Sequence, residues 1–251
     1  MGSVQTSILI LTLLVATVLV GRSVRRRLPD DHLGSESRDA VKLAVGLVST
    51  MTALLLGLLV GSAKGTYDTL RTEVIQMGGQ IAYLDRILTA YGPEAAEVRA
   101  LFRDTVTEQT HHMWPQEGET PRQLAPDGSS GHRIFSIVQG LSPRDDTQRG
   151  LKALATTLAA SLGQLRALLV SQAAPSIPAP LLVAVALWLL VVFFFFSLLA
   201  PPNATTVVAL ITASVSVAAA IFLIMELDQP FSGVITISSE PVMTAIRHFS
   251  K

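Results

Sequence analysis

Residues 38–91 constrain this chain more than any other stretch. They open with an uncharged run, Leu43–Ala63 (LAVGLVSTMTALLLGLLVGSA). That is enough to cross a bilayer, since about 20 apolar residues traverse about 30 Å of hydrocarbon. Past Lys64 and Gly65 the pattern changes rather than stops. Tyr67, Leu70, Val74, Met77, Ile81, Leu84, Leu88 and Tyr91 recur at alternating spacings of three and four, an unbroken heptad seam. At 1.5 Å per residue the seam is about 37 Å of packing surface. The pattern predicts one helical rod that leaves a bilayer and becomes a coiled-coil-like surface in water.

Three further runs share the membrane character. Val4–Val20 is followed, not preceded, by positive charge at Arg22, Arg25, Arg26 and Arg27. A cleaved signal peptide carries its charge before the apolar core, so this run is expected to stay as a spanning helix. Leu181–Leu199 contains consecutive phenylalanines, Phe193–Phe196, and Ser197 as its polar side chain. Ala204–Met225 is less oily, with Thr205, Thr212 and Ser216 on one stripe. Composition agrees with four spans: 49% of the residues are hydrophobic and 15% charged, where soluble domains carry about 25% charged residues. Basic and acidic residues balance at 19 each, which leaves no nucleic-acid footprint. Without cysteine there is no disulfide, thiolate metal site or cysteine nucleophile.

Charge also predicts orientation. The loop 21–42 holds six Lys/Arg residues, against Lys64 and Arg71 near the opposite ends of the first two spans. The positive-inside rule makes that loop cytoplasmic. Both termini and the segment between spans two and three then face away from the cytoplasm, in a multi-pass membrane protein.

That segment, residues 64–178, carries eleven Lys/Arg and twelve Asp/Glu, as an extramembrane domain does. The seam helix is predicted to stop at Tyr91-Gly92-Pro93, glycine ending one helix and proline opening the next. The next helix, 94–113, would present Ala95, Val98, Leu101, Phe102 and Val106. Residues 114–131, rich in Pro, Gly, Ser and Glu, read as an irregular loop. A third helix, 145–172, places Leu151, Leu154, Leu158, Leu162, Leu165 and Leu169 on one face. Such helices can bury a shared core as a bundle. In the tail, 227–251, Val234–Ser238 is β-prone by composition. Ser239 before Pro241 is expected to cap a short amphipathic helix, lying on the bilayer surface or docked on the bundle.

Ala53, Gly57 and Gly61 are spaced to let helices approach closely in lipid, with Gly46 and Thr50 on a neighbouring stripe. Packing within the subunit and a subunit interface or pore wall both suit that pattern. A permeation path needs polar or backbone-accessible surface across the hydrocarbon, which only the second and fourth spans offer. The second joins the seam directly, so its pore-lining candidates are Ser49, Thr50, Ala53, Leu54, Gly57 and Gly61, with Leu54–Leu58 able to close the path by dewetting. Glu226 and Asp228, where the fourth span ends, either mark the water interface or form an acidic vestibule ring. Asp85 and Arg86 diverge on their helix, so each is expected to find a partner elsewhere, as a structural ion pair or in handling ions. His111 and His112, with His132, Glu117 and Glu119, do not make a metal site: adjacent helical histidines point about 100° apart, and no i, i+4 ligand pair is present. No nucleophile elbow or phosphate-binding glycine loop occurs. No enzyme activity, metal or cofactor is expected.

Several segments together resemble a known family. They are His32-Leu33-Gly34-Ser35-Glu36-Ser37-Arg38-Asp39-Ala40 leading into Ala53–Val60, Leu84-Asp85-Arg86-Ile87-Leu88 before Tyr91-Gly92-Pro93-Glu94, and Glu226-Leu227-Asp228-Gln229-Pro230-Phe231-Ser232-Gly233. The set is similar to bacterial four-span membrane proteins called bestrophin-like, a family of unassigned function with a distant relation to the bestrophins, pentameric anion channels. The resemblance covers nearly the whole chain. It implies an oligomer and anion conduction. Two features differ from bestrophins proper: the second span has no aromatic residue for a bulky pore neck, and the arginine loop places the helical bulk outside the cytosol.

The expectation is therefore an all-α integral membrane protein. Its parts are spans one and two with their basic loop (1–63), a helical bundle (64–178), spans three and four (179–226) and the tail. Its partners are the lipid bilayer, further copies of itself and small inorganic ions. The function expected is an oligomeric ion channel gated through the bundle; the alternative is a non-conducting scaffold or sensor whose bundle binds a partner.

Overall fold

The computed structural model of the chain describes residues 2–27, 29, 35–114, 129–172, 177–201 and 203–249, with backbone alone at 35–37 and 129–132. The described residues form eight α-helices and no strand: α1 (Ser3–Arg25), α2 (Ser35–Tyr91), α3 (Ala96–Met113), α4 (Ser129–Gln139), α5 (Asp146–Gln172), α6 (Ala179–Leu199), α7 (Ala204–Leu227) and α8 (Glu240–His248). A single 3₁₀ turn, Pro93–Ala95, precedes α3. Five of the helices, α1, α2, α5, α6 and α7, are long and apolar enough to cross a membrane. The chain divides into two compact units, Met1–Thr66 with Ser176–Asp228, and Tyr67–Pro175 with Gln229–Lys251. α2, 57 residues without a break, contributes to both.

In the first unit α1 lies along α6 and α7. Ser3, Ser7, Ile10, Leu14, Val18 and Gly21 are its buried stripe, at the three–four spacing of one helix face. They meet Val185, Leu189 and Phe193 of α6 and Ile221 and Ile224 of α7, and Leu59 and Ala63 of α2 join the same cluster. Between apolar helices in lipid, association rests on close packing and hydrogen bonds. Both occur. Gly21 has to be glycine, because a Cβ there would lie 2.8 Å from the carbonyl oxygen of Phe194. Beside it the Ser197 hydroxyl donates to the Val18 carbonyl at 2.6 Å. Arg25 donates to the carbonyls of Leu198 and Ala200, acceptors that the end of α6 leaves open. The Asn203 side chain caps α7, accepting from the Thr206 amide at 2.9 Å.

In the second unit the seam is the spine of the core. Leu70, Val74, Met77, Ile81, Leu84, Leu88 and Tyr91 are all buried, and Tyr67 is half-buried against them. Around them pack Phe102 and Val106 of α3, Ile134 and Val138 of α4, Ala155, Ala159, Leu162, Leu165 and Leu169 of α5, and Val242 and Ala245 of α8. Gly92, at φ 113° and ψ −173°, takes a positive-φ conformation open to glycine, and α2 stops there. Gly78 admits α8: a Cβ there would sit 2.7 Å from the Pro241 carbonyl oxygen. Phe249 meets Phe102 edge to face, ring centres 5.4 Å apart.

Several expectations shift. α5 buries Ala155 and Ala159 in its first half, while Leu154 is exposed and Leu151 and Leu158 are half-buried; small residues let α4, which lies along α5, approach closely. Leu101 of α3 is likewise exposed, and Thr105, Thr110 and Met113 are buried instead. α4 starts at Ser129, inside the segment expected to be irregular; residues 115–128 of that segment lie outside the described residues. The β-prone stretch 234–238 forms no strand. The Ile237 amide bonds the Pro230 carbonyl at 2.8 Å and its carbonyl accepts from Trp114 Nε1 at 2.7 Å, so loop and side chain meet its backbone needs. Ser239 is the N-cap residue of α8 as expected, but its side chain makes no cap bond; the Ser238 hydroxyl oxygen accepts from the Glu240 amide at 3.1 Å instead.

Candidate functional site

The bilayer-length half of α2 is two-faced in burial although it carries no charge. Val45, Thr52, Leu59 and Ala63 are buried on one side. On the other, Leu43, Leu47, Thr50, Leu54, Gly57 and Gly61 follow one another at spacings of four and three and are all exposed, along with Leu58. The leucines there are 78, 65, 70 and 63% exposed at Leu43, Leu47, Leu54 and Leu58, which is far from the packing of a core residue.

Four of the pore-lining candidates, Thr50, Leu54, Gly57 and Gly61, therefore share one exposed stripe. Ala53 is exposed at its edge. Ser49 is not on it: the residue is half-buried, and its enclosed hydroxyl has no hydrogen-bond partner among the described residues. The Thr50 hydroxyl donates to the Gly46 carbonyl at 3.0 Å, leaving its oxygen as an acceptor toward the outside. A Cβ at Gly46, Gly57 or Gly61 would meet nothing within 4 Å. Close packing by these glycines thus happens nowhere among the described residues of this chain. Such a stripe can take lipid, a second copy of the same helix, or a narrow path with threonine oxygens and backbone along it.

Glu226 and Asp228 are interior. Glu226 is 1% exposed and accepts a hydrogen bond from the Ser3 hydroxyl; Asp228 is 7% exposed and accepts from the Ile177 amide at 3.4 Å. Sequence reading put these acids at a water boundary. Instead, the antiparallel course of α1 and α7 brings the start of one to the end of the other, and the carboxylates tie helix ends together.

Asp85 and Arg86 separate as their helical geometry requires. Arg86 is exposed. Asp85 is buried and takes a two-pronged ion pair from Arg99 of α3, through Nε and through Nη2 at 2.9 Å, and the same Nη2 donates to the Phe249 carbonyl at 3.3 Å. The hydrogen bond to Asp85 raises the Arg99 pKa, burial opposes the rise, and the Asp85 charge adds to it. Arg99 was missed from sequence, yet a signal existed: Asp85 and Arg99 each lie seven residues from Gly92, the turn about which α3 folds back on α2.

At that turn the Tyr91 phenol is enclosed, with no hydrogen-bond partner for its hydroxyl among the described residues. Burial raises its pKa, the charges of Glu94 and Asp145 raise it further, and Arg144 pulls it partly back. Arg144 pairs with Glu94 at 2.5 Å, and Gln148 donates to the Tyr91 carbonyl at 3.0 Å.

No group of three or more potential metal ligands occurs among the described residues. His111 and His112 are exposed, while Glu117, Glu119 and the His132 side chain lie outside the described residues. A cavity of about 30 Å³ between Met77, Gln109, Met113 and Arg166 has room for a water molecule or two, not for an organic cofactor.

A family model, the Bestrophin-like domain, matches residues 12–242. Among solved structures, two single-substitution variants of a bacterial bestrophin homologue from Klebsiella pneumoniae are similar to the chain. One has a TM-score of 0.69 at 15% identity, over 97% of each chain. The other has a TM-score of 0.68 at 15% identity, over 99% of this chain and 97% of that one. At this identity the likeness is one of fold. No curated protein matches the sequence.

Proposed function

The chain belongs to the Bestrophin-like family, and from that premise we propose that it is an oligomeric, anion-conducting membrane channel with the exposed stripe of α2 along its path. The observation that carries this reading is the stripe itself. Leucines, Thr50, Gly57 and Gly61 stand uncovered on the face opposite Val45, Thr52 and Leu59, and copies arranged around an axis would cover that face. Leu54–Leu58 would form the dry constriction and Thr50 the polar step beside it. α2 continues without a break into the seam, so movements of the helical bundle reach the constriction through the helix itself. Glu226 and Asp228 serve this device by fixing helix ends. The chain is not an enzyme in this reading.

Four helices span the bilayer: α1, the first half of α2, α6 and α7. α5 is apolar enough to do so, but its buried face belongs to the same core as the seam, and Arg149, Lys152 and Arg166 lie along it. The domain limits that follow are 1–63, 64–178, 179–226 and 227–251. The protein resides in the bacterial inner membrane with the basic loop in the cytoplasm and the bundle in the periplasm. In a chain without native cysteine, Gln76→Cys should react with an impermeant maleimide in intact spheroplasts. Reaction only after permeabilisation reverses the orientation.

A second reading, a non-conducting scaffold or sensor whose bundle binds a partner, is favoured by the oiliness of the stripe, on which Thr50 is the polar side chain. Flux decides between them. Purified protein in liposomes should pass chloride, and Thr50→Trp should cut the flux at least tenfold while the oligomer elutes unchanged. A well-assembled oligomer that passes no ion at any voltage or pH makes the scaffold reading the correct one.

A further inference from the structure

The end of α1 carries four arginines in six residues, Arg22, Arg25, Arg26 and Arg27, and they do not share one job. Arg25 is committed to the carbonyls that end α6. Arg22 lines a pocket on the α7 side with Thr206 and Leu210. Arg26 and Arg27 are exposed. On another side of α1, an apolar groove of about 400 Å³ runs between α1 and α6, walled by Leu13, Ala16 and Val20 and by Leu190, Phe194 and Phe195. Leu13, Thr17, Val20, Val24 and Arg27 recur at spacings of four and three, so Arg27 stands in line with the groove. The helical path reaches that far, since the Arg27 amide bonds the Val24 carbonyl at 2.9 Å. Seven residues separate Val20 from Arg27, about 10 Å of rise, which is the step from acyl-chain depth to headgroup depth.

We propose that this groove and Arg27 at its end form a selective site for one anionic phospholipid. An acyl chain lies along Ala16, Val20 and Phe194, and Arg27 holds the phosphodiester. Charge complementarity chooses the occupant: a guanidinium matches a headgroup that carries phosphate and no amine, because an amine would bring its own positive charge against it. The site rests on α1 and α6 spanning the bilayer and is independent of whether α2 conducts.

Native mass spectrometry of the full-length protein, released from detergent containing phosphatidylglycerol and phosphatidylcholine with identical chains, reads the occupancy. The parent should retain phosphatidylglycerol over phosphatidylcholine by roughly fivefold, as expected for one basic side chain at the surface. Arg27→Gln should bring the ratio near parity, and Arg27→Lys should keep most of it, which also guards against a folding defect. Arg22→Gln removes the same charge on a different side of the helix and should change the ratio less than about twofold. Ala16→Trp should lower occupancy by both lipids. Soluble glycerophosphoglycerol should not compete, because the groove requires a chain. Parity in the parent overturns the proposal. So does an Arg22→Gln effect equal to that of Arg27→Gln, which is diffuse attraction rather than a site. Competition by the soluble headgroup marks a phosphate site alone. An oligomer mass that changes with Ala16→Trp while lipid stays bound assigns the groove to a second copy of the chain.

Discussion

α2 repeats large apolar residues at the same spacing through both of its halves, and the two halves use them in opposite ways. From Leu70 to Tyr91 the stripe is buried by α3, α4, α5 and α8 of the same chain, and the other side shows Asp68, Thr72, Gln76 and Arg86 to solvent. From Leu43 to Gly61 the corresponding spacing lies uncovered, and the buried side is the sparser row of Val45, Thr52, Leu59 and Ala63. Periodicity alone therefore does not say which way a face points. In water an uncovered leucine stripe costs free energy in proportion to its area, so the first half requires a surrounding that the single chain does not supply.

The largest expected effect tests that difference directly. Leu84→Ala removes a fully buried side chain and should cost about 2–5 kcal/mol of stability in the bundle. Leu54→Ala removes the same atoms from a residue 70% exposed and should move the melting temperature of the isolated protomer hardly at all, within about 0.5 kcal/mol. Its effect should appear in oligomer stability or flux. Equal thermal losses for the two would mean that both halves are buried alike, and the contrast drawn here would be wrong.

An intermediate effect belongs to the pair that pins α3 to the seam. Asp85→Asn leaves Arg99 without its charge partner. Breaking a buried pair costs several kcal/mol, but the Arg99 side chain is 29% exposed and water screens part of the loss. About 1–3 kcal/mol is the expected cost by urea unfolding. Arg86→Gln, one residue along and exposed, should cost almost nothing. If the two substitutions were equally harmless, Asp85 would not be holding the helices together.

What the sequence revealed and what it hid follow from the range of the forces involved. The seam was legible because a helix that buries one face must repeat apolar residues along it, and Leu70 through Tyr91 do so without a gap. α4 was not legible: Ile134 and Val138 are one pair at i, i+4 in an eleven-residue helix, too short to establish a period. The leucine face of α5 was legible except at Leu154, which is exposed, while the burial of Ala155 and Ala159 was not, because alanine adds little to an apolar pattern. Residue type along α2 does not distinguish its faces, and the structure separates Ser49 from the stripe that Thr50, Leu54, Gly57 and Gly61 share. The roles of Glu226 and Asp228 were hidden for another reason. Their partners, Ser3 and the Ile177 amide, are set by how whole helices run past each other, and Ser3 is 223 residues away in the chain. No local pattern carries that information.

The smallest effect is a pH dependence, and it belongs to the buried half alone. Tyr91 ends the seam with its phenol enclosed, and burial, then Glu94 and Asp145, raise its pKa above the ordinary 10.0, with Arg144 opposing. In the unfolded chain the phenol titrates near its ordinary value, so between that pH and the higher folded value the native state holds a proton that the unfolded state has released. With more protons bound in the native state, stability falls as pH rises. The contribution is complete below pH 10 and is lost progressively above it. Tyr91→Phe has no proton to lose there. Because the hydroxyl has no hydrogen-bond partner among the described residues, the substitution should also leave stability at pH 7 unchanged or slightly higher. Unfolding midpoints measured from pH 8 to pH 11 should fall more steeply for the parent than for Tyr91→Phe. Parallel curves would assign the alkaline loss to groups elsewhere and remove Tyr91 from the account.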